Sequence, residues 1–109
     1  MIYITVPDRN DSLSRAVLAG KEYNIRFLYN MSGDYWSFGL YDVNRAPIAG
    51  MIRIVPRSPL TFFYRSVDMP DGLFGSVSDL AHIGRNDFKN GNARFCFIPA
   101  AEMEGWYDG

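Results

Sequence analysis

Residues 22–41 read EYNIRFLYNMSGDYWSFGLY, and seven of those twenty positions carry large rings: Tyr23, Phe27, Tyr29, Tyr35, Trp36, Phe38 and Tyr41. Either the rings fill a core or they form a surface that binds something. Alternation with a period of two marks two strands, with Tyr23, Ile25, Phe27 and Tyr29 on one side of the first and Trp36, Phe38 and Leu40 on one side of the second. A four-residue loop, Met31–Asp34, joins them in the one register that keeps both apolar sets on the same face, because a one-residue slip would turn one set outward. That register pairs Asn30 with Tyr35, Tyr29 with Trp36, Phe27 with Phe38 and Ile25 with Leu40. On the other face it sets Leu28 opposite Ser37, Arg26 opposite Gly39, Asn24 opposite Tyr41 and Glu22 opposite Val43. Most of the rings are thereby assigned to a core, while Tyr35 and Tyr41 are left outside it.

The same period runs through the flanking sequence. Ile2, Ile4 and Val6 alternate with Tyr3 and Thr5 as a half-buried strand, and a second strand is expected near residues 13–18 before the tight turn LAGK. After the turn YDVNRAP, where Asp42 and Asn44 suit local backbone hydrogen bonds, a strand from Ile48 to Val55 offers Ile48, Ile52 and Ile54 on one face, interrupted by Gly50. LTFFYRS reads as a short strand with Phe62 and Phe63 on opposite faces. MPDGLFGSVSD reads as a turn and another strand, and ARFCFIP as a last one with Phe95 and Phe97 on one side and Cys96 and Ile98 on the other. Short strands separated by turn signals, with no sustained helical period, predict an all-β domain, a small antiparallel sandwich or barrel. Residues 1–99 are expected to form that domain and residues 100–109 a C-terminal tail.

The chain has 109 residues, 48% of them hydrophobic and 16% aromatic, which suits a single globular domain. Eleven basic and twelve acidic residues give a formal charge of −1, with no basic stripe for nucleic acid or an anionic membrane. One cysteine and one histidine exclude an internal disulfide and the usual ligand set of a structural zinc site. Neither a basic leader nor a membrane-length apolar run is present, so synthesis in the cytoplasm is expected.

Candidate chemistry is sparse. His82 lies near Ser76, Ser78, Asp79 and Asp87, but no strand-turn-helix nucleophile context accompanies it, and a solvated loop histidine is the simpler reading. Asp79, His82 and Asp87 match no metal spacing, GLFGS lacks the lysine and helix of a phosphate loop, and Cys96 reads as a small buried hydrophobe. No catalytic residue, metal or cofactor is expected. Exposed rings on a small β domain leave one ligand-binding alternative, a module for carbohydrate or single-stranded nucleic acid.

YNIRFLYN followed by WSFGLYDVNRAPIAG, and later DMPDG, GRNDF and ARFCFIP, resemble the baseplate plug family of contractile-tailed phages, the cyanophage-type plug proteins. The matching positions are Tyr23, Phe27, Tyr29, Asn30, Trp36, Leu40, Tyr41, Asp42, Pro47, Ile48 and Gly50, and the resemblance runs over residues 20–99. It implies a β-rich structural protein of the virion, non-enzymatic, at the junction of tail tube, hub and central spike. Its partners would be tube, hub, spike or wedge proteins, with copies following the tail's symmetry and neither membrane nor nucleic acid involved. On that reading the assembly interface would include Leu28, Tyr35, Gly39 and Tyr41 on the outer hairpin face, with Gly39 beside Arg26 leaving room for another backbone. Trp106 and Tyr107 in the tail would join it, either ordering on a partner or packing back onto the domain.

Overall fold

The computed structural model describes residues 1–56 and 68–103. Among the described residues, seven strands form two antiparallel sheets. One has the order β1-β7-β6, from Ile2–Ile4, Ala93–Pro99 and Gly72–Ser78. The other has the order β2-β3-β4-β5, from Asp11–Leu18, Lys21–Asn30, Tyr35–Tyr41 and Pro47–Arg53. The expected all-β fold is observed, and a single helical turn, α1 (Ala100–Met103), follows β7. The expectations for LTFFYRS, and for Trp106 and Tyr107, fall outside the described residues.

The hairpin β3–β4 pairs as the apolar pattern requires, with Phe27 opposite Phe38, Tyr29 opposite Trp36 and Asn30 opposite Tyr35. Tyr23, Ile25, Phe27, Trp36, Phe38 and Leu40 are all buried. Tyr29 packs against the edge of this core, its ring 5.3 Å from that of Trp36, and is only half-buried beside the hairpin loop, where its hydroxyl donates to Asp34. The ladder ends at Asn24 opposite Tyr41, so Glu22 and Val43 do not pair. Asp42 instead closes the following turn, its Oδ1 accepting from the amides of Asn44 at 2.8 Å and Ala46 at 2.9 Å.

Phenylalanines from the second sheet complete the core. Phe95 of β7 sits edge-on to Phe27 at 5.1 Å and to Phe38 at 4.9 Å, and stacks on Phe74 of β6 at 5.8 Å. Such pairs add about 0.5–1.5 kcal/mol each beyond the area they bury. On the opposite side of β7, Cys96 is buried between Tyr3 of β1 and Gly75 of β6, and burial pushes its thiol pKa up.

Two places in the sheet break the simple alternation. β2 begins at Asp11, not near 13, and joins β3 through Ala19 and Gly20, whose φ values of 51° and 78° make the two-residue turn favoured between twisted strands. β5 ends at Arg53, short of Val55, and bulges twice: Phe38 pairs with Ile52, but Leu40 pairs with Ala49 and Tyr41 with Pro47. Ala49 therefore joins Ile48 against the core, which an unbroken period from Ile48 to Ile54 does not anticipate. The bulge is possible because two glycines meet there, a Cβ on Gly50 falling only 2.7 Å from the Gly39 Cα.

Because Phe95 touches rings from three other strands, Phe95→Ala should lower unfolding free energy by about 3–5 kcal/mol, the range for deleting a buried phenylalanine. Urea denaturation followed by tryptophan fluorescence would measure it, and a loss below about 1 kcal/mol would show that the core closes without this ring.

Candidate assembly interface

Pairing fixes which side chains share the outer face of the four-stranded sheet. β3 contributes Asn24, Arg26 and Leu28, and β4 contributes Tyr35, Ser37, Gly39 and Tyr41. Opposite β3, the register adds Asp11, Leu13, Arg15 and Val17 of β2. Arg53 of β5 lies opposite Ser37. Leu28, Tyr35, Gly39 and Tyr41 thus stand on one face, as the sequence indicated.

Their surroundings differ from expectation at Gly39. The space above it is filled by this chain's own Met51 and Tyr41, since a Cβ there would lie 2.8 Å from Met51 Sδ and 3.2 Å from the Tyr41 ring. The backbone that Gly39 admits is that of Gly50 in β5, so the room expected for a partner's backbone is already occupied. Tyr35 is half-buried, with the Arg53 guanidinium 4.4 Å over its ring and its hydroxyl accepting from Asn30 Nδ2 at 3.1 Å. Three exposed apolar side chains on this sheet were not assigned to the face from sequence: Leu13 at 45%, Val17 at 66% and Met51 at 40% exposure. The two-residue turn at Ala19-Gly20 carries the signal for the first two, because it fixes β2 against β3 and turns Leu13 and Val17 to the Leu28 side.

Two arginines on the face are paired within the chain. Arg26 donates through Nε and an Nη to the two Asp11 carboxylate oxygens at 2.9 and 2.7 Å, and Arg15 pairs with Glu22. Arg26 holds the Asp11 carboxyl below its usual pKa, and Asp11, with Tyr41 second, raises that of Arg26.

The residues considered for catalysis find separate structural partners. Ser76 Oγ donates to the Val55 carbonyl, and Ser78 Oγ donates to the Asn92 carbonyl at 2.8 Å. His82 is exposed and faces Asp34 at 3.2 Å, while Asp87 binds the Gly84 amide and the Asn92 side chain. No group of three or more His, Cys, Asp or Glu that could hold a metal occurs among the described residues.

GRNDF, residues 84–88, closes one end of the sandwich. Trp36 Nε1 donates to the Gly84 carbonyl at 3.1 Å, Phe88 packs edge-on to Trp36, and the Arg85 guanidinium lies 5.3 Å over the Trp36 ring. Arg85 also reaches back to the β1–β2 connection, donating to Asn10 at 2.6 Å and Asp8 at 2.9 Å, with Lys89 3.3 Å from Asp8. Hydrogen bonds from Arg85 first, then Lys89, lower the Asp8 pKa. A carboxyl whose folded pKa is depressed stabilises the fold above its unfolded pKa, and that contribution fades as pH falls through the lower folded value. Melting temperature should therefore fall below about pH 4, and Asp8→Asn should flatten that fall; an unchanged acid profile would remove the clamp from the pH response.

No curated protein matches the chain. The family model described as the cyanophage baseplate Pam3 plug gp18 matches residues 1–100, extending the similarity through β1 and β2 to the first residue, and the chain belongs to this family of baseplate plugs.

Proposed function

We propose that this chain is a non-enzymatic structural component of a contractile tail baseplate, seated at the junction of tube, hub and spike. Membership of a baseplate plug family indicates a structural role in the virion's baseplate, among other tail proteins. The proposed holdfast is the outer face of the β2-β3-β4-β5 sheet, together with the C-terminal segment. One observation carries this reading: exposed Leu13, Val17 and Met51 share a face with half-buried Leu28 and Tyr41, beside the ion pairs Arg26–Asp11 and Arg15–Glu22. Covering such a face gains apolar burial while leaving fewer ions unpaired. Tyr35 has a ring face occupied by Arg53 within the chain, an arrangement that favours protein contact over stacking of bases or sugars.

The C-terminal boundary of the domain is proposed at Met103. Ala100 donates its amide to the Asp71 carbonyl at 3.0 Å, and Glu102 pairs with the N-terminal ammonium of Met1, so α1 is tied to the turn before β6 and to the first residue.

Leu28→Asp and Tyr41→Asp should each leave a folded domain, with stability reduced by no more than about 1–2 kcal/mol at these half-buried sites. Incorporation into baseplates should fall roughly ten-fold, the effect of losing about 1.4 kcal/mol of contact. Quantifying the protein in purified particles measures this, and normal incorporation of both variants would refute the sheet-face assignment. A chain ending at Met103 should fold with the parent's melting temperature yet assemble poorly; normal particles would relieve residues 104–109 of any role.

A further inference from the structure

β2 is an eight-residue strand with, among the described residues, a neighbour on one side only. The Tyr29 amide donates to the Asn10 carbonyl at 2.7 Å, continuing the ladder in which even-numbered residues of this strand bond to β3. The backbone N–H and C=O groups of Asp11, Leu13, Arg15 and Val17 consequently point to the open edge. Edges of this kind are normally protected by shortness, proline, a bulge, a covering segment or charged side chains, and among the described residues β2 shows only the last, Asp11 and Arg15. β1 has only three residues, and β5 begins with Pro47 and bulges twice, whereas β2 has none of these features.

We propose that the open edge of β2 pairs with β2 of a second copy, antiparallel about a two-fold axis at Leu13. Antiparallel pairing that keeps both outer faces together allows two-fold centres at Leu13, Ser14 or Arg15. A centre at Arg15 sets two arginines opposite each other, and a centre at Ser14 sets each charged residue opposite an apolar one. The Leu13 centre places Asp11 opposite Arg15 of the second copy at two symmetric positions and Leu13 against its equivalent. The intrachain pairs Arg26–Asp11 and Arg15–Glu22 then join into a row of alternating sign.

A separate observation is compatible with the same register. Ser12 Oγ is buried and has no hydrogen-bond partner among the described residues. With the axis at Leu13, Ser12 faces Ser14 of the second copy in a non-hydrogen-bonded pair, where a turn of the Ser12 side chain about χ1 would free its hydroxyl from the single chain's interior and let the two hydroxyls bond. The other two centres oppose Ser12 with Ala16 or Leu18. The resulting sheet runs through eight strands without a break.

Sedimentation equilibrium on the full chain up to about 1 mM, where a pair with a Kd of that order is still substantially formed, should reveal a monomer–dimer equilibrium. Hydrogen exchange followed by NMR should show amides 11, 13 and 15 gaining protection with concentration while amide 17 stays fast, since Arg9, which would oppose it, lies outside the strand. Leu13→Pro should abolish the dimer without disturbing the β2–β3 ladder, because its lost N–H faces the edge. Arg15→Asp should weaken the dimer about ten-fold by opposing two acids at each symmetric contact. A chain that stays monomeric, a dimer that survives both variants, or protection of amide 17 equal to that of amide 13 would overturn the proposal. Protection of these amides in assembled particles alone would equally overturn it, assigning the edge to a strand of another subunit.

Discussion

The contact between Phe95 and the paired rings of Phe27 and Phe38 is the constraint on which the rest of the structure depends. It exists only because β3 and β4 meet in a register that puts those two rings side by side facing the other sheet. With a single cysteine in the chain, no disulfide supports the arrangement. Aromatic packing across the sandwich therefore specifies how the two sheets are joined. The outer face is a by-product of the same choice, since every residue turned inward in β3 and β4 fixes its neighbours outward.

The hairpin was legible from the sequence because both strands carry the same alternation and only one register satisfies both. The bulges in β5 were not, although Gly50 is visible as an interruption. Its significance depends on meeting Gly39 across a strand pair, and sequence distance does not encode that meeting. The loop over Trp36 was equally hidden. Its anchors link residues far apart in the chain, Trp36 to Gly84 and Arg85 to Asp8, through single polar groups that leave no periodic trace. Of the surface residues singled out, Leu28, Tyr35, Gly39 and Tyr41 were placed together by parity alone. Parity could not show that Met51 and Tyr41 fill the space over Gly39, because that depends on rotamers and on the bulge.

The polar residues of GRNDF have a physical account without catalysis. Gly84 presents a carbonyl to Trp36, Asp87 organises the loop's own amides, and Arg85 spans from the ring to the connection before β2. The motif thus ties the start of the chain to the middle hairpin. It lies at the end of the sandwich where Tyr29, half-buried, packs on Trp36 with its ring and bonds to Asp34 with its hydroxyl. The family match reaching residue 1 is consistent with that architecture, because the β1–β2 connection supplies two of the groups that hold the loop.

Cys96 lies at 1% exposure in the central strand of its sheet, with its thiol held in the protonated form by burial. Alkylating reagents act on the thiolate and need access to it, so the native protein offers them almost nothing at neutral pH. A cysteine introduced at any exposed position would then be the one reactive thiol in the folded chain. The protein is in effect a ready-made single-site labelling scaffold, on which probes can be walked across the outer sheet without first altering its core.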